Sequence, residues 1–220
     1  MNSIEDRLIK IFNTLLNAFG KRHWWPGDSP LEIIVGAVLT QNTSWKNVEK
    51  AINNLKRENL LTIDALYCSD LERLSSVIKP SGFFNIKAIR LKNLIKVLYE
   101  KYNASIENLK EIETDDLRKV LLGINGIGKE TADSILLYAL NKPVFVVDAY
   151  TKRLIKHHIP PLIADRPISG DSYDIIQRFF MEHLPLDVYI YNEFHALLVY
   201  LGQKYCKKSP DCEHCPIKGI

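Results

Sequence analysis

The chain has 220 residues, of which 46% are hydrophobic and 25% charged, an ordinary composition for a soluble globular protein with one large domain or two small ones. The net charge of +3 is too small to attract a polyanion by itself, so such binding would need a local basic patch. The segment Met1–Asp6 does not resemble a signal peptide and no apolar run approaches membrane length, so we expect a cytoplasmic protein with no membrane partner.

Helix signals follow one another along the whole chain. Caps and apolar residues with helical spacing predict helices that start at Ser3, Ser29, about Trp45, Ser69, Asn85, Thr114, about Lys129, just after Asp148, at Asp171 and at about Tyr189. The helix after Ser29 is apolar almost all round, which predicts that it is buried. Phe145–Val147 is the only β-like run and is too short for a strand, so the sequence predicts an all-α fold.

A tight glycine turn, Gly123–Gly128, joins two of the predicted helices. The helix that leaves it has one apolar face, formed by Ala132, Ile135, Leu136, Ala139 and Leu140. Glycine lets the main chain turn sharply, and the backbone N–H groups at the start of the next helix, near Lys129, can bind an anion. Helix C-caps also use glycine, so the turn alone does not identify a binding site.

Three loops carry side chains that suit either packing or binding. The adjacent Trp24 and Trp25 most simply plug the edge of a core, and Gln41, at a break between two helices, most simply satisfies backbone groups. Phe83 and Phe84 follow a glycine at a helix start, where exposed aromatic rings suit a wedge between stacked bases.

Three of the four cysteines, Cys206, Cys212 and Cys215, lie within the last fifteen residues. In a cytoplasmic protein this crowding favours a metal site over disulfide bonds. Zinc could be held together with His214, although His214 lies between two cysteines only three positions apart, which strains a shared site. Cys68 lies on an apolar helix face and is expected to be a buried small hydrophobe.

The stretch from Leu121 to Asp148, a helix-hairpin-helix followed by a loop and an aspartate, resembles the signature of the endonuclease III superfamily of DNA base-excision glycosylases. The resemblance covers nearly the whole chain. It implies two helical lobes with a DNA-binding cleft between them and the hairpin at their boundary. Residues 28–133 would form a six-helix lobe, and residues 1–27 with 134–220 a second helical lobe with a C-terminal cysteine loop.

Asp148 is the candidate catalytic residue, because its position matches the catalytic aspartate of that superfamily. Breaking an N-glycosidic bond builds positive charge on the sugar, which a carboxylate beside C1′ stabilises while it orients a water molecule. An aspartate before a helix most simply serves as its N-cap, and the two roles can coexist.

The position of the superfamily's lyase lysine is occupied by Glu130. In bifunctional members that lysine attacks the sugar as an amine, whereas a carboxylate cannot form a Schiff base. Lys129 is adjacent but lies about 100° further round the helix, so it should not point the same way. We therefore expect a monofunctional glycosylase without AP lyase activity.

Several segments together are similar to one branch, the type III 3-methyladenine DNA glycosylases. In that branch the base pocket is lined at the positions of Trp24, Trp25, Pro26 and Trp45. A 3-alkylated purine is flat and cationic. Electron-rich rings that stack on a cation stabilise it by roughly 0.5–2 kcal/mol. The resemblance therefore implies an alkylated purine as the substrate.

The same resemblance implies how the chain contacts DNA. Gln41 would fill the gap left by an extruded base, and Phe83 would wedge between bases. The remaining DNA-binding residues are those of the hairpin, Gly126, Gly128 and Lys129. We expect a monomer that binds double-stranded DNA containing a damaged base and is associated with the nucleoid.

Superfamily members with a [4Fe–4S] cluster hold it with four cysteines separated by six, two and five residues. Here five residues separate Cys206 from Cys212, two separate Cys212 from Cys215, and the fourth position would follow Ile220. The chain could continue beyond Ile220, the cluster could have three cysteine ligands, or there could be no cluster. The resemblance favours a [4Fe–4S] cluster with a structural role.

The main hypothesis is therefore a monofunctional glycosylase that removes alkylated purines such as 3-methyladenine. One alternative is an endonuclease III-like glycosylase and AP lyase for oxidised pyrimidines, against which Glu130 argues. Another is a non-catalytic helix-hairpin-helix DNA-binding protein, which Asp148 and the aromatic residues make less attractive.

Overall fold

The structure is a computed structural model that describes residues 3–158, 172–207 and 209–220. Within these ranges every regular element is a helix or a helical turn, which confirms the all-α prediction. None of the helices in the described ranges is long and apolar enough to cross a membrane. The predicted helix start at Asp171 lies outside the described residues.

The chain divides into two compact units. One consists of Met1–Trp24 together with Pro143–Ile220, and the other of Trp25–Lys142. These bounds differ from the predicted lobe limits, 28–133, most clearly at the second end. Residue 133 lies inside a helix that continues into a buried π-helical turn, so the unit closes only after that turn has ended.

The unit Trp25–Lys142 contains most of the short helices. They are α2 (Pro30–Leu39), α3 (Trp45–Arg57), α4 (Ile63–Cys68), α5 (Leu71–Val77), α6 (Phe84–Tyr102), α7 (Ile106–Lys110), α8 (Thr114–Leu122) and α9 (Lys129–Ser134), with a 3₁₀ turn at Lys79–Ser81 and the π-helical turn at Ile135–Ala139. The predicted buried helix is α2, which packs against α3, α6 and the π-helical turn. Ser29 caps it by accepting a hydrogen bond from the Glu32 backbone N–H at 3.2 Å.

The unit that contains both ends of the chain has four described helices. They are α1 (Ile4–Phe19), α10 (Ala149–His158), α11 (Ser172–His183) and α12 (Val188–Lys204). α1 packs against α11 and α12, and its inward side chains Leu8, Ile11 and Leu15 are fully buried. The Phe12 ring meets the Phe194 ring of α12 edge to face, with centroids 5.5 Å apart.

The extended segment Phe145–Val147 runs through the core of this unit towards Asp148. The Phe145 ring stacks on Phe180, with centroids 4.2 Å apart. Its carbonyl accepts a hydrogen bond from the Gln177 side chain at 2.7 Å, and the Val147 N–H donates to the Tyr173 hydroxyl at 3.3 Å. Side chains thus supply the backbone partners that a neighbouring strand would otherwise provide.

Three local predictions are wrong. Asp70, not Ser69, caps α5 and accepts a hydrogen bond from the Arg73 N–H at 2.7 Å. α6 begins at Phe84, ahead of the expected cap Asn85, whose amide oxygen instead accepts a hydrogen bond from Ser75. Cys68, at the last turn of the short helix α4, is exposed and not buried.

Candidate functional site

The glycine turn joins α8 and α9 into a compact helix-hairpin-helix. Gly126 has a φ of +95°, in the left-handed region that favours glycine. A Cβ atom at this position would lie 2.1 Å from Cγ of Arg90, so the stem of that side chain packs directly on the hairpin backbone. Arg118 of α8 forms a bidentate ion pair with the fully buried Asp133 of α9, with N–O distances of 2.6 and 3.0 Å, and this pair fixes the two helices together.

The structure places Lys129 and Glu130 as the first two residues of α9, after the N-cap Gly128. Lys129 is half-buried and Glu130 is exposed. The predicted helix start at Lys129 is therefore confirmed. The Glu130 carboxylate thus lies in the first turn of α9, directly after the hairpin.

Gln41 lies against the hairpin. Its Nε2 donates hydrogen bonds to the Gly126 carbonyl at 3.1 Å and to the Thr131 hydroxyl at 3.0 Å, while its Oε1 accepts one from the Arg90 guanidinium. The side chain thus satisfies a backbone group, the structural role that the sequence suggested first.

Phe83 projects from the loop that precedes α6. The residue is 68% exposed, and its backbone is left-handed, with a φ of +47°. A bulky residue in this region is strained and needs support from its surroundings. Lys87, whose side chain is almost completely buried, supplies support by donating hydrogen bonds from Nζ to the carbonyls of Ser81 at 2.6 Å and Leu39 at 2.8 Å.

An aromatic cluster forms beside α2 in the unit Trp25–Lys142. Trp25 meets Trp45 at a ring angle of 89° and Tyr138 at 54°, with both pairs of centroids 5.4 Å apart. Gly36 of α2 allows this approach, since a Cβ atom there would lie 3.1 Å from the Trp25 indole nitrogen. Pro26 is exposed, and Trp24 is half-buried and belongs to the other compact unit.

Tyr138 is part of this cluster although the sequence did not indicate it. It lies in the π-helical turn, where the Leu140 N–H donates to the Ile135 carbonyl five residues earlier at 3.2 Å. Regular helical spacing places Tyr138 outside the predicted apolar face, but every residue from 131 to 140 is buried. No local sequence pattern predicts this π-helical turn.

Asp148 uses one carboxylate oxygen to cap α10. Its Oδ1 accepts hydrogen bonds from the Tyr150 N–H at 3.0 Å, the Thr151 N–H at 2.7 Å and the Thr151 hydroxyl at 2.9 Å. Its Oδ2 faces His195 of α12, with Nε2 at 3.8 Å. The N-cap alternative is therefore correct for one oxygen, and the second oxygen lies outside the cap.

His195 is a second residue near the candidate site that the sequence did not indicate. It is 5% exposed within α12, and burial lowers its pKa while the Asp148 carboxylate opposes that shift. The sequence around His195, a single histidine among apolar helix residues, does not predict that it lies near the Asp148 carboxylate. The Tyr150 ring also lies on α12, where a Cβ atom at Gly202 would be 2.0 Å from Cδ1 of that ring.

The three C-terminal cysteines lie in the same unit as Asp148. Burial raises the pKa of the Cys206 and Cys215 thiols, whereas Cys212 is exposed. Within the described ranges, no three His, Cys, Asp or Glu side chains are placed so that they could hold a metal ion. His214 instead contacts Asp211 through Nδ1, at 2.8 Å from Oδ1. As placed, these residues do not fit a four-ligand cluster.

Comparison with known proteins agrees with the hairpin and aspartate geometry. Residues 35–161 match the HhH-GPD superfamily of base excision DNA repair proteins. A protein of Methanocaldococcus jannaschii that is provisionally named a DNA repair glycosylase is 48% identical over 97% of this chain and 94% of its own. Endonuclease III of Thermotoga maritima is 28% identical over 86% of this chain and 81% of its own.

A solved structure extends this agreement to three dimensions. The H. pylori 3-methyladenine DNA glycosylase bound to 1,N6-ethenoadenine superposes with a TM-score of 0.73 at 30% identity, over 91% of this chain and 96% of that one. The superfamily match and the relative of 48% identity each cover more than half of the chain. The chain is therefore a DNA glycosylase of the HhH-GPD superfamily of base excision DNA repair proteins.

Proposed function

We propose that this glycosylase is monofunctional and removes alkylated purines such as 3-methyladenine from double-stranded DNA. The observation that carries the proposal is that the two carboxylate oxygens of Asp148 have different surroundings. The three hydrogen bonds of the α10 cap all reach Oδ1, which holds the carboxylate in one orientation. Oδ2 faces His195 and is the oxygen that we assign to the chemistry.

The reaction is hydrolysis of the bond between the base and C1′. As that bond breaks, positive charge develops on the sugar, and the Asp148 carboxylate stabilises it electrostatically. The same carboxylate orients the water molecule whose oxygen bonds to C1′ and accepts the proton that this water loses, while the released base leaves with the bonding electron pair. Alkylation makes the base a better leaving group, so the site needs little acid catalysis.

The aromatic cluster supports an alkylated purine as the base. Trp25 and Trp45 are both half-buried, and their rings meet at right angles. Electron-rich rings attract a flat cation, and they recognise it without a dense set of polar groups. The H. pylori relative of similar fold carries a methylated-adenine activity in its name and was solved with an adenine derivative.

Glu130 supports the monofunctional assignment. Strand cleavage by a lyase needs an amine that forms a Schiff base with the sugar, and a carboxylate cannot do this. We therefore expect an intact strand with an abasic site as the product.

We assign the DNA contacts to the hairpin and to the two loops beside it. Gly126, Gly128 and Lys129 would meet the phosphates, Phe83 would wedge between bases, and Gln41 would fill the gap left by the extruded base. The exposure of Phe83 and the contact of Gln41 with the hairpin support this assignment. We expect one copy of the chain to act on one damaged site.

A [4Fe–4S] cluster at Cys206, Cys212 and Cys215 would need a fourth ligand and would need the thiols to move together. No catalytic step depends on it. Iron and sulfide analysis of the purified protein, with its visible absorption spectrum, tests whether a cluster is present.

The decisive experiment replaces Asp148 by Asn, which keeps the helix cap and removes the charge. Excision from methylated duplex DNA should fall by a factor of about 100 or more, as expected for loss of a positioned electrostatic group, while DNA binding persists. Asp187→Asn is the matched control, because Asp187 caps α12 in the same unit by accepting from the Ile190 N–H at 2.9 Å. Equal activity of Asp148→Asn and the wild type would overturn the assignment.

The lyase alternative is retained because the Thermotoga maritima relative is an endonuclease III. Treating the reaction with borohydride distinguishes the two functions, since it traps a Schiff base as a covalent protein–DNA adduct. We expect no adduct, and strand breaks only after alkali. An adduct on DNA that contains an oxidised pyrimidine would favour the lyase.

A further inference from the structure

One face of α6 reaches all three segments that we assign to DNA contact. Lys87, Arg90 and Asn93 are spaced three residues apart and share this face. Lys87 holds the carbonyls of Leu39 and Ser81, and Asn93 donates from Nδ2 to the Asn125 carbonyl of the hairpin at 3.1 Å. Arg90 lies between them and donates to Gln41.

The amide of Gln41 is fixed at both ends by these neighbours. Its nitrogen donates to Gly126 and Thr131 of the hairpin, while its oxygen accepts from Arg90. A glutamine side chain in a loop has three rotatable bonds, and ordering them costs conformational entropy. These contacts order the side chain in the free protein, so DNA binding does not have to meet this entropy cost.

Arg90 is itself held in place by the hairpin. Its Cγ and Cδ atoms would lie 2.1 and 2.8 Å from a Cβ atom at Gly126, so the aliphatic stem rests on bare backbone. The stem therefore leaves little freedom for the guanidinium, which points to Gln41. Arg90 thus makes two independent contacts, a hydrogen bond to Gln41 and a close packing contact with Gly126.

We propose that Arg90 is a positioning residue that presents the Gln41 amide to the gap left in the duplex when a base is extruded. The inference rests on the proposed function in one respect, since it takes Gln41 to be the residue that fills the gap. Arg90 acts through Gln41, with no contact of its own to the extruded base. Its loss should therefore weaken recognition of an opened duplex more than it weakens binding to intact DNA.

The test measures binding and needs no excision. The probes are a duplex with a tetrahydrofuran abasic analogue and the same duplex undamaged. Arg90→Met keeps the stem on Gly126 and removes the donor, and we expect its preference for the abasic analogue to fall about tenfold, as for a hydrogen bond to a charged group. Lys96→Met is the control, because it removes one positive charge from an exposed position of the same helix.

A double-mutant cycle separates positioning from a structural role. If Arg90 acts through Gln41, then Arg90→Met should have no further effect in a Gln41→Ala background. Additive losses, or a loss equal to that of Lys96→Met, would overturn the inference. If Arg90→Met unfolds in thermal denaturation, Arg90→Gln replaces it in the same cycle. A wild type that binds the abasic analogue selectively but releases no methylated purine would overturn the proposed function and leave the cycle interpretable.

Discussion

At the scale of single residues, Asp148 has a geometry that allows a helix cap and the catalytic role that we propose for it to coexist. Three donors converge on Oδ1, while Oδ2 lies 3.8 Å from the buried His195. An N-cap fixes the carboxylate without neutralising it, and the start of a helix favours negative charge. The cap and the proposed catalytic role would therefore use different oxygens of the same carboxylate.

Replacing Trp45 tests the base pocket that we propose. Trp45→Leu should lower kcat/KM for 3-methyladenine by about 2- to 30-fold, the range expected when a cation loses its aromatic partner. Trp45→Phe keeps a ring against Trp25 and should recover most of the loss. Both variants are assayed with methylated duplex DNA and with an uncharged alkylated purine as the comparison. An equal loss on the charged and the uncharged base would argue against recognition of the cation.

The sequence alone identified those candidate residues that belong to a short local motif. The glycine turn, the aspartate after it and the paired tryptophans could all be found by reading along the chain. Tyr138 and His195 could not, because their partners Trp25 and Asp148 are distant in sequence and meet them only after folding. Tyr138 also lies in a π-helical turn, which regular helical spacing does not predict.

At the scale of elements, α6 is the helix that sets the geometry of the neighbouring loops. Its start differs from the sequence prediction because Asn85 has the chemistry of a cap, whereas the chain enters the helix through the strained Phe83. The buried Lys87 supports this entry by donating hydrogen bonds to the carbonyl of Ser81, just ahead of the loop residue Phe83, and to that of Leu39 at the end of α2. Local cap preferences could not predict this, since Leu39 belongs to another helix.

Lys87 makes the stability of this region depend on pH. Burial, with a smaller contribution from the Arg90 cation, lowers its pKa from 10.5 to about 8. Between these two values the unfolded chain still holds a proton that the folded chain has lost, so stability rises with pH. Relative to Lys87→Met, the wild type should gain roughly 1–2 kcal/mol from pH 7 to about pH 9.5.

Urea unfolding of both proteins at several pH values measures this difference. Comparing the two removes the contribution of every other titrating group, because those groups are present in both. A difference that stays constant or shrinks as pH rises would show that Lys87 keeps its proton in the folded state.

At the scale of the whole molecule, the two compact units are assembled differently. Trp25–Lys142 is one continuous stretch, whereas the other unit combines the first helix with the last third of the chain. The sequence indicated this discontinuous arrangement only through the family resemblance. Hydrophobic spacing identifies which face of α1 is buried, but it does not say that α11 and α12 cover it.

Phe12→Ala tests the discontinuous unit. Phe12 is 6% exposed and packs on Phe194, so truncation should cost about 3–5 kcal/mol of local stability. Hydrogen exchange should quicken in α11 and α12, with a smaller change in α2, since the ring's partner lies in the discontinuous unit. Faster exchange of equal size in both units would contradict this division of the chain.

The Tyr150 ring rests directly on the backbone of α12 at Gly202. This contact has a consequence for how the protein can change over generations. A side chain at position 202 is tolerable only after position 150 has lost its ring, because the two would occupy the same space. In any lineage that changes both positions, the change at Tyr150 must come first, because the reverse order would pass through a destabilised protein.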